Sequence, residues 1–452
     1  MVLVLTVVAL QSISFSNYAL TTKTTNIIYG SAPYLTFDGG RTRVTNTEAL
    51  LGISLSDGRR FTPTTNNSSF DNHIELPVTG QSSADIGMLV PTDTNSIALT
   101  SVIGPPNNYW GDDDGDGQGI DGITATGSLK LSIVDKDNNR VARNEVLDIC
   151  REPYRLTLSN DEGTLKTRYG VPNESRFSGG RVTYYIKPKA SPVICFAKPN
   201  SRFGSWDSGL SDAIWKQNKG FLPQSVTPSS YGLNFPTTGL NNLSFDLAIG
   251  GVSQALSWAP VSHGGITATM TNSTSTRVRV TLTGPVATES QQQSDNPDRI
   301  DRPSLPQVFE LVGRDSSGNA VVKYGFKLRQ WFVGGYYEGT HSSKESWCNS
   351  LGYRLPKVSD LTNASCPAGE WTCNGAVGAT PSSPNNWRAP HIGAGFFTEW
   401  GRMLDYENTP FYVFSDYWTS EYKSYNYYFH VGSDHGQIET GFYTCRAVCV
   451  YP

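Results

Sequence analysis

What this chain has little of narrows its function before any motif is found. Charged residues make up only 17% of its 452 residues, and there is no positive excess: 36 Lys and Arg face 40 Asp and Glu, a formal net charge of −4. Nucleic acid is held by concentrated Lys and Arg that displace counterions, so that partner class is set aside. Long apolar runs are missing beyond the opening MVLVLTVVAL. A run of ten residues, nine of them apolar, cannot cross a hydrocarbon core about 30 Å thick, which needs ~20. The run reads as the apolar heart of a secretory signal, residues 1–19, ending near Ala19, with a buried first strand as the alternative. Histidines number only six and no C-x-x-C pair occurs, which argues against a zinc-finger cage. G-x-S-x-G, H-E-x-x-H and Walker signatures are missing as well, so binding is expected and catalysis is not.

What is present points to strands and turns. Gly (44) and Pro (26) are plentiful, 51 residues are aromatic, and long Leu/Ala/Glu/Lys helical patterns do not occur. Apolar and polar residues alternate at Leu129, Leu131 and Ile133, at Val278, Val280 and Leu282, and at Val322, Tyr324, Phe326 and Leu328. That period of two buries one face of a strand and wets the other. Turn formers follow at 135–139, 160–163 and 315–319, a spacing that suits β-sandwiches. The polar segment 289–297 reads as a long loop between two strands.

Composition changes near Gly334-Gly335. The last 118 residues hold 23 of the 51 aromatics and five of the seven cysteines. This part reads as a separate α+β domain. Ser342-Ser-Lys-Glu345 is a capping box ahead of Trp347, Cys348 and Leu351, with Gly352 as the stop. A second amphipathic stretch places Phe396, Phe397, Trp400, Met403 and Leu404 on one face. The expected layout is a β-sandwich domain over 20–205, an Ig-like sandwich over 206–334 and the aromatic domain over 335–452.

Several constellations are candidates for chemistry. Asp112, Asp114 and Asp116, followed by Gly117, match the opening of a calcium loop, with Asp121 as a substitute for the missing bidentate glutamate. A solvated acidic turn is the competing reading. Cysteines stand at 150, 195, 348, 366, 373, 445 and 449, and an exported chain would form disulfides. Cys150 is expected to pair with Cys195 and Cys366 with Cys373, while Cys348 takes either Cys445 or Cys449. The odd count leaves one thiol over. His391, His430 and His435, with Asp405, Asp416, Glu421, Asp434 and Glu439, read as solvated turn residues rather than acid–base pairs. Tyr422, Tyr425, Asn426 and Tyr427 read as a recognition loop, with Asp434 and His435 in a neighbouring turn, because tyrosine gives rigid contact area with a polar tip.

A family resemblance rests on particular residues. Trp347-Cys-Asn-Ser-Leu-Gly-Tyr-Arg-Leu-Pro356, Asp360-Leu-Thr-Asn363, Gly393-Ala-Gly-Phe-Phe-Thr-Glu-Trp-Gly401, Tyr417-Trp-Thr-Ser-Glu421 and Cys445-Arg-Ala-Val-Cys449 look like a C-type-lectin-like domain. More narrowly, they resemble the tip domain of Gram-negative adhesins of the invasin/intimin group. The stretch Tyr324–Phe332 is similar to the strand leading into that tip, and the Cys150–Cys195 region resembles an upstream invasin adhesion domain. The resemblance implies extracellular Ig-like sandwiches carrying a lectin-like tip that binds a host-cell receptor or glycan. The outer-membrane β-barrel that holds such adhesins is not found in this sequence, so the expectation is either export by a separate outer-membrane translocator or a fragment of a longer adhesin. The Glu-Pro-Asn, Gln-Pro-Asp and Trp-Asn-Asp motifs of calcium-dependent sugar binders are missing. Two other classes stay open: a secreted carbohydrate-active enzyme with sandwich accessories, and an exported protein that binds a bacterial partner.

Overall fold

The computed structural model describes residues 29–44, 47–115, 122–201, 208–411, 414–441 and 443–452. The signal-like segment 1–19 lies outside the described residues. The chain is mostly β, as its alternating pattern requires, and among the described residues no helix is long and apolar enough to cross a membrane. Tertiary contacts separate two units. One comprises the chain to Pro77 with Ser82–Glu145 and Pro153–Ile186; the other comprises Val78–Gln81, Val146–Glu152 and Lys187–Pro452.

In the first unit a five-stranded sheet is centred on Ser128–Val134, Tyr154–Asn160 and Gly180–Lys187. Leu129, Leu131 and Ile133 are buried on one face, and Leu158, Leu156 and Tyr154 face the core from the next strand. A three-stranded sheet of Ile123–Ala125, Gly163–Thr167 and Glu174–Phe177 completes the unit's main strands. The turn after Val134 closes because the Asp135 carboxylate accepts from the N–H groups of Asp137 and Asn139, both at 2.9 Å.

The second unit is built on a seven-stranded sheet that includes Val193–Pro199, Ser244–Gly250 and Arg277–Thr283. A three-stranded sheet, Ser257–Trp258, Gln307–Arg314 and Ala320–Leu328, meets it through Phe245, whose ring is 6.0 Å from that of Phe326. Phe326 stacks in turn on Phe309 at 5.1 Å. Cys150 bridges Cys195 within this unit, tying the segment Val146–Glu152 to the strand Val193–Pro199.

Residues 335–452 contribute the α+β part. A small sheet joins Thr238–Leu240, Gln330–Gly334 and Val448–Tyr451, so the strand entering this part pairs with the last strand of the chain. Helix His341–Leu351 buries Trp347, Cys348 and Leu351 and ends at Gly352, whose φ of 88° is left-handed and suits glycine. Its cap is Thr340, whose hydroxyl accepts from Ser343 N, and not the expected box at Ser342. The expected helix over Phe396–Leu404 is shorter: Phe396–Trp400 stops at Gly401, with φ of 79°, and all five of its residues are buried. A wholly buried turn needs no polar face, which is why its pattern overstated its length.

Two further differences concern long-range contacts. Segment 289–297 is not a free loop. Glu289–Gln293 is a short helix, its Gln292 side chain donates to Gly334 O at 2.9 Å and accepts from Tyr336 N at 3.0 Å, and Gln291 O accepts from the Trp347 indole. Cys348 pairs with Cys449 and Cys366 with Cys373, which leaves Cys445 as a buried free thiol. Burial, with Asp416, Glu338 and Glu439 nearby, pushes that thiol's pKa up.

One buried carboxylate fastens residues 335–452 to the preceding strands. Glu399 is fully buried. It accepts from the N–H and hydroxyl of Thr237, the N–H and hydroxyl of Thr238, and Gly393 N, at 2.7–3.1 Å. Burial raises its pKa while these donors pull it down, and burial prevails. Replacing it by Gln keeps the shape but turns an amide N–H₂ toward donors. We expect Glu399→Gln to cost about 2–4 kcal/mol of unfolding free energy, read from urea denaturation.

Candidate binding surface

The three-stranded sheet Asp416–Ser424, Tyr427–Gly432 and Ile438–Gly441 carries the tyrosine cluster. Ser424 pairs with Tyr427, so only Tyr425 and Asn426 form the connecting turn; Tyr422 lies on the strand rather than in the expected loop. Both turn residues have positive φ, 50° and 67°. Asparagine tolerates this region. A tyrosine there is strained by on the order of 1–2 kcal/mol. Its side chain is also 89% exposed, so no burial offsets that strain.

The strands below the turn display rings on both faces. On one, the Tyr427 ring meets Trp371 edge-on at 5.5 Å, and Lys423 Nζ stands 3.8 Å from the Trp371 ring centroid and donates to Trp371 O. On the other, Tyr422 packs edge-on against Tyr428 at 5.4 Å, and Tyr428 stacks on His341 at 3.5 Å. Trp371 and Tyr422 are each more than half exposed. Trp371 was not among the sequence candidates. The Cys366–Cys373 bridge closes the short loop that presents it, and two nearby cysteines around a tryptophan were the available signal.

Asp434 and His435 occupy the turn at the other end of Tyr427–Gly432, roughly 20 Å from Tyr425 at about 3.4 Å per residue. The His435 ring stacks on Trp387 at 5.7 Å, and its Nε2 is 3.3 Å from Asp434 Oδ2. The structure therefore divides the six candidates into two places: Tyr422, Tyr425, Asn426 and Tyr427 with Trp371, and Asp434 and His435 with Trp387.

Other candidates differ from expectation. His430 is no solvated turn residue; it is fully buried on a strand, and Asp416 and Glu439 lie on the strands beside it. For the acidic stretch, Asp116 and Asp121 lie outside the described residues. Asp114 accepts from Ser31 N at 2.5 Å, and the intervening Asp113 pairs with Arg43. A cleft of about 570 Å³ contains Asp246, Asp405 and Glu407. Asp246 there is ion-paired to Arg279 at 2.9 Å and Asp405 to Arg402 at 3.8 Å.

No protein-family model and no curated protein matches the chain. Among solved structures, an intimin mutant of EHEC O157:H7 is 15% identical, covering 48% of this chain and 89% of that one with a TM-score of 0.29. The intimin–Tir90 complex is 11% identical, with the same coverage and TM-score. A 282-residue C-terminal intimin fragment, crystallised with the intimin-binding domain of the translocated intimin receptor, is 12% identical, covering 72% and 93% with a TM-score of 0.34. Likenesses this loose carry no argument about activity.

Two outcomes follow from the local physics. Tyr425→Asn, which suits a left-handed turn position, should stabilise the chain by about 1 kcal/mol in urea denaturation. His341 is buried, with Nε2 donating to Thr419 O at 2.8 Å, and burial lowers its pKa below 6.5. The unfolded chain takes up that proton first as pH falls through 6.5, so stability held at pH 7.5 is lost toward the lower folded pKa. His341→Gln should flatten the fall in urea midpoint between pH 7.5 and 6.0.

Proposed function

We propose that the chain is a secreted or surface-displayed bacterial adhesin whose β-sandwich parts, the second of them taking in the strand Val193–Pro199 that the sequence pattern assigns to the first, present residues 335–452 to a host-cell protein or glycan. The observation that carries this reading is Tyr425. A ring placed on a strained turn, in open solvent, beside exposed Tyr422 and Trp371, contributes nothing to folding that asparagine would not do better. Contact with a molecule outside the chain accounts for it, since Tyr and Trp dominate binding hot spots and lose little entropy when they dock. Lys423, held over Trp371, adds a positive charge to the same tip. The residue resemblance across Trp347–Cys449 supplies the class of protein, and the missing sugar-ligating triplets favour contact through these rings over calcium-bridged sugar.

Flow cytometry with the fluorescently labelled full chain on host cells tests this. Saturable binding is expected, weakened at least 10-fold in the pair Trp371→Ala with Tyr425→Asn, although Tyr425→Asn alone raises stability. Binding no better than that of the reduced, unfolded chain, or binding unchanged in the double variant, would remove the reading.

A further inference from the structure

The sheet that carries the tyrosines also brings together three metal-ligating side chains, one from each strand. In its register His430 stands directly opposite Glu439 on one side and Trp418 on the other. Asp416, two residues before Trp418, shares that face. One ligand atom each of Asp416, His430 and Glu439 lies within 4.8 Å of the other two. The His430 ring is fully buried, and its Nδ1 has no hydrogen-bond partner although it stands 3.5 Å from Asp416 Oδ2. A buried ring nitrogen left without a hydrogen bond is unusual in a folded protein and asks for another occupant.

We propose that Asp416, His430 and Glu439 form a binding site for a divalent cation of the zinc class. An imidazole nitrogen with two carboxylates suits that class, whereas calcium and magnesium favour oxygen alone. Ligand atoms around a tetrahedral ion at about 2.0–2.1 Å stand ~3.3 Å apart. The spread seen here closes to that by rotation of Asp416 and Glu439, which are only partly buried, toward a fixed ring. Tyr443 Oη, 3.4 Å from His430 Nε2, can accept a hydrogen bond from the N–H there, which fixes the tautomer that leaves the Nδ1 lone pair toward the carboxylates. Three protein ligands leave the fourth position of a tetrahedral ion to water. Bound there, the ion would cross-link all three strands at the end of the sheet away from the Tyr425 turn, a role independent of whether the tip docks onto a host cell.

Calorimetric titration of the EDTA-stripped full chain with ZnCl₂ tests this, alongside thermal melting with and without the ion. One Zn²⁺ per chain and a melting temperature raised by several degrees are expected, with CaCl₂ and MgCl₂ giving neither. Glu439→Gln and Asp416→Asn should each weaken Zn²⁺ binding at least 10-fold and abolish the rise in melting temperature. His435→Gln, at the exposed neighbouring turn, should keep both. Absence of Zn²⁺ binding, wild-type affinity in both carboxylate variants, or binding lost only in His435→Gln would overturn the proposal.

Discussion

The buried carboxylate of Glu399 is the constraint on which the terminal module's placement depends. Five donors converge on it, four of them from Thr237 and Thr238 where the strand Thr238–Leu240 begins. An ion in a dry interior is tolerated only when its oxygens are fully bonded, so the threonines and the helix Phe396–Trp400 can meet in few other ways. Trp400 reinforces this with its indole on Thr238 O at 3.1 Å, and its ring packs against Phe235 at 4.9 Å. Apolar packing alone would allow sliding; a carboxylate with directional bonds does not.

Rigidity at that seam matters because the exposed chemistry sits on a thin sheet. A two-residue turn holds Tyr425 outward, and cross-strand rings, Tyr422 with Tyr428 and Tyr427 with Trp371, stiffen the strands that support it. His341 backs Tyr428 from the helix side, so the tip is tied to helix His341–Leu351 as well as to its own sheet. On the proposed reading such backing matters, since a ring that must be ordered on docking loses part of its binding energy.

The strands were legible in the sequence wherever one face is wet. Leu129, Leu131 and Ile133 alternate with polar residues because their sheet buries one side only, and the same holds for Val278, Val280 and Leu282. Gly352 marked a helix end because a left-handed residue is needed there. What stayed hidden depends on pairings between distant segments. Cys449 rather than Cys445 reaches Cys348, a choice decided by how Val448–Tyr451 registers with Gln330–Gly334. The meeting of Asp416, His430 and Glu439 is likewise a property of register, invisible in spacings of 14 and 9 residues. Residues 289–293 looked solvated because their polar atoms are polar in either setting; their partners Gly334, Tyr336 and Trp347 lie elsewhere in the chain.

The pairing of Gln330–Gly334 with Val448–Tyr451 bears on how the chain comes to be folded. Trp331 and Phe332, both fully buried, sit on a strand whose antiparallel neighbour is more than a hundred residues downstream. As the polypeptide emerges from its amino end, the middle sandwich can assemble early, but this strand keeps one bare edge until nearly all of the following module exists. Such delayed closure is slow and leaves apolar surface open to wrong partners. Passage across a membrane as an extended thread, with the edge covered only on the far side, would spare the chain that interval.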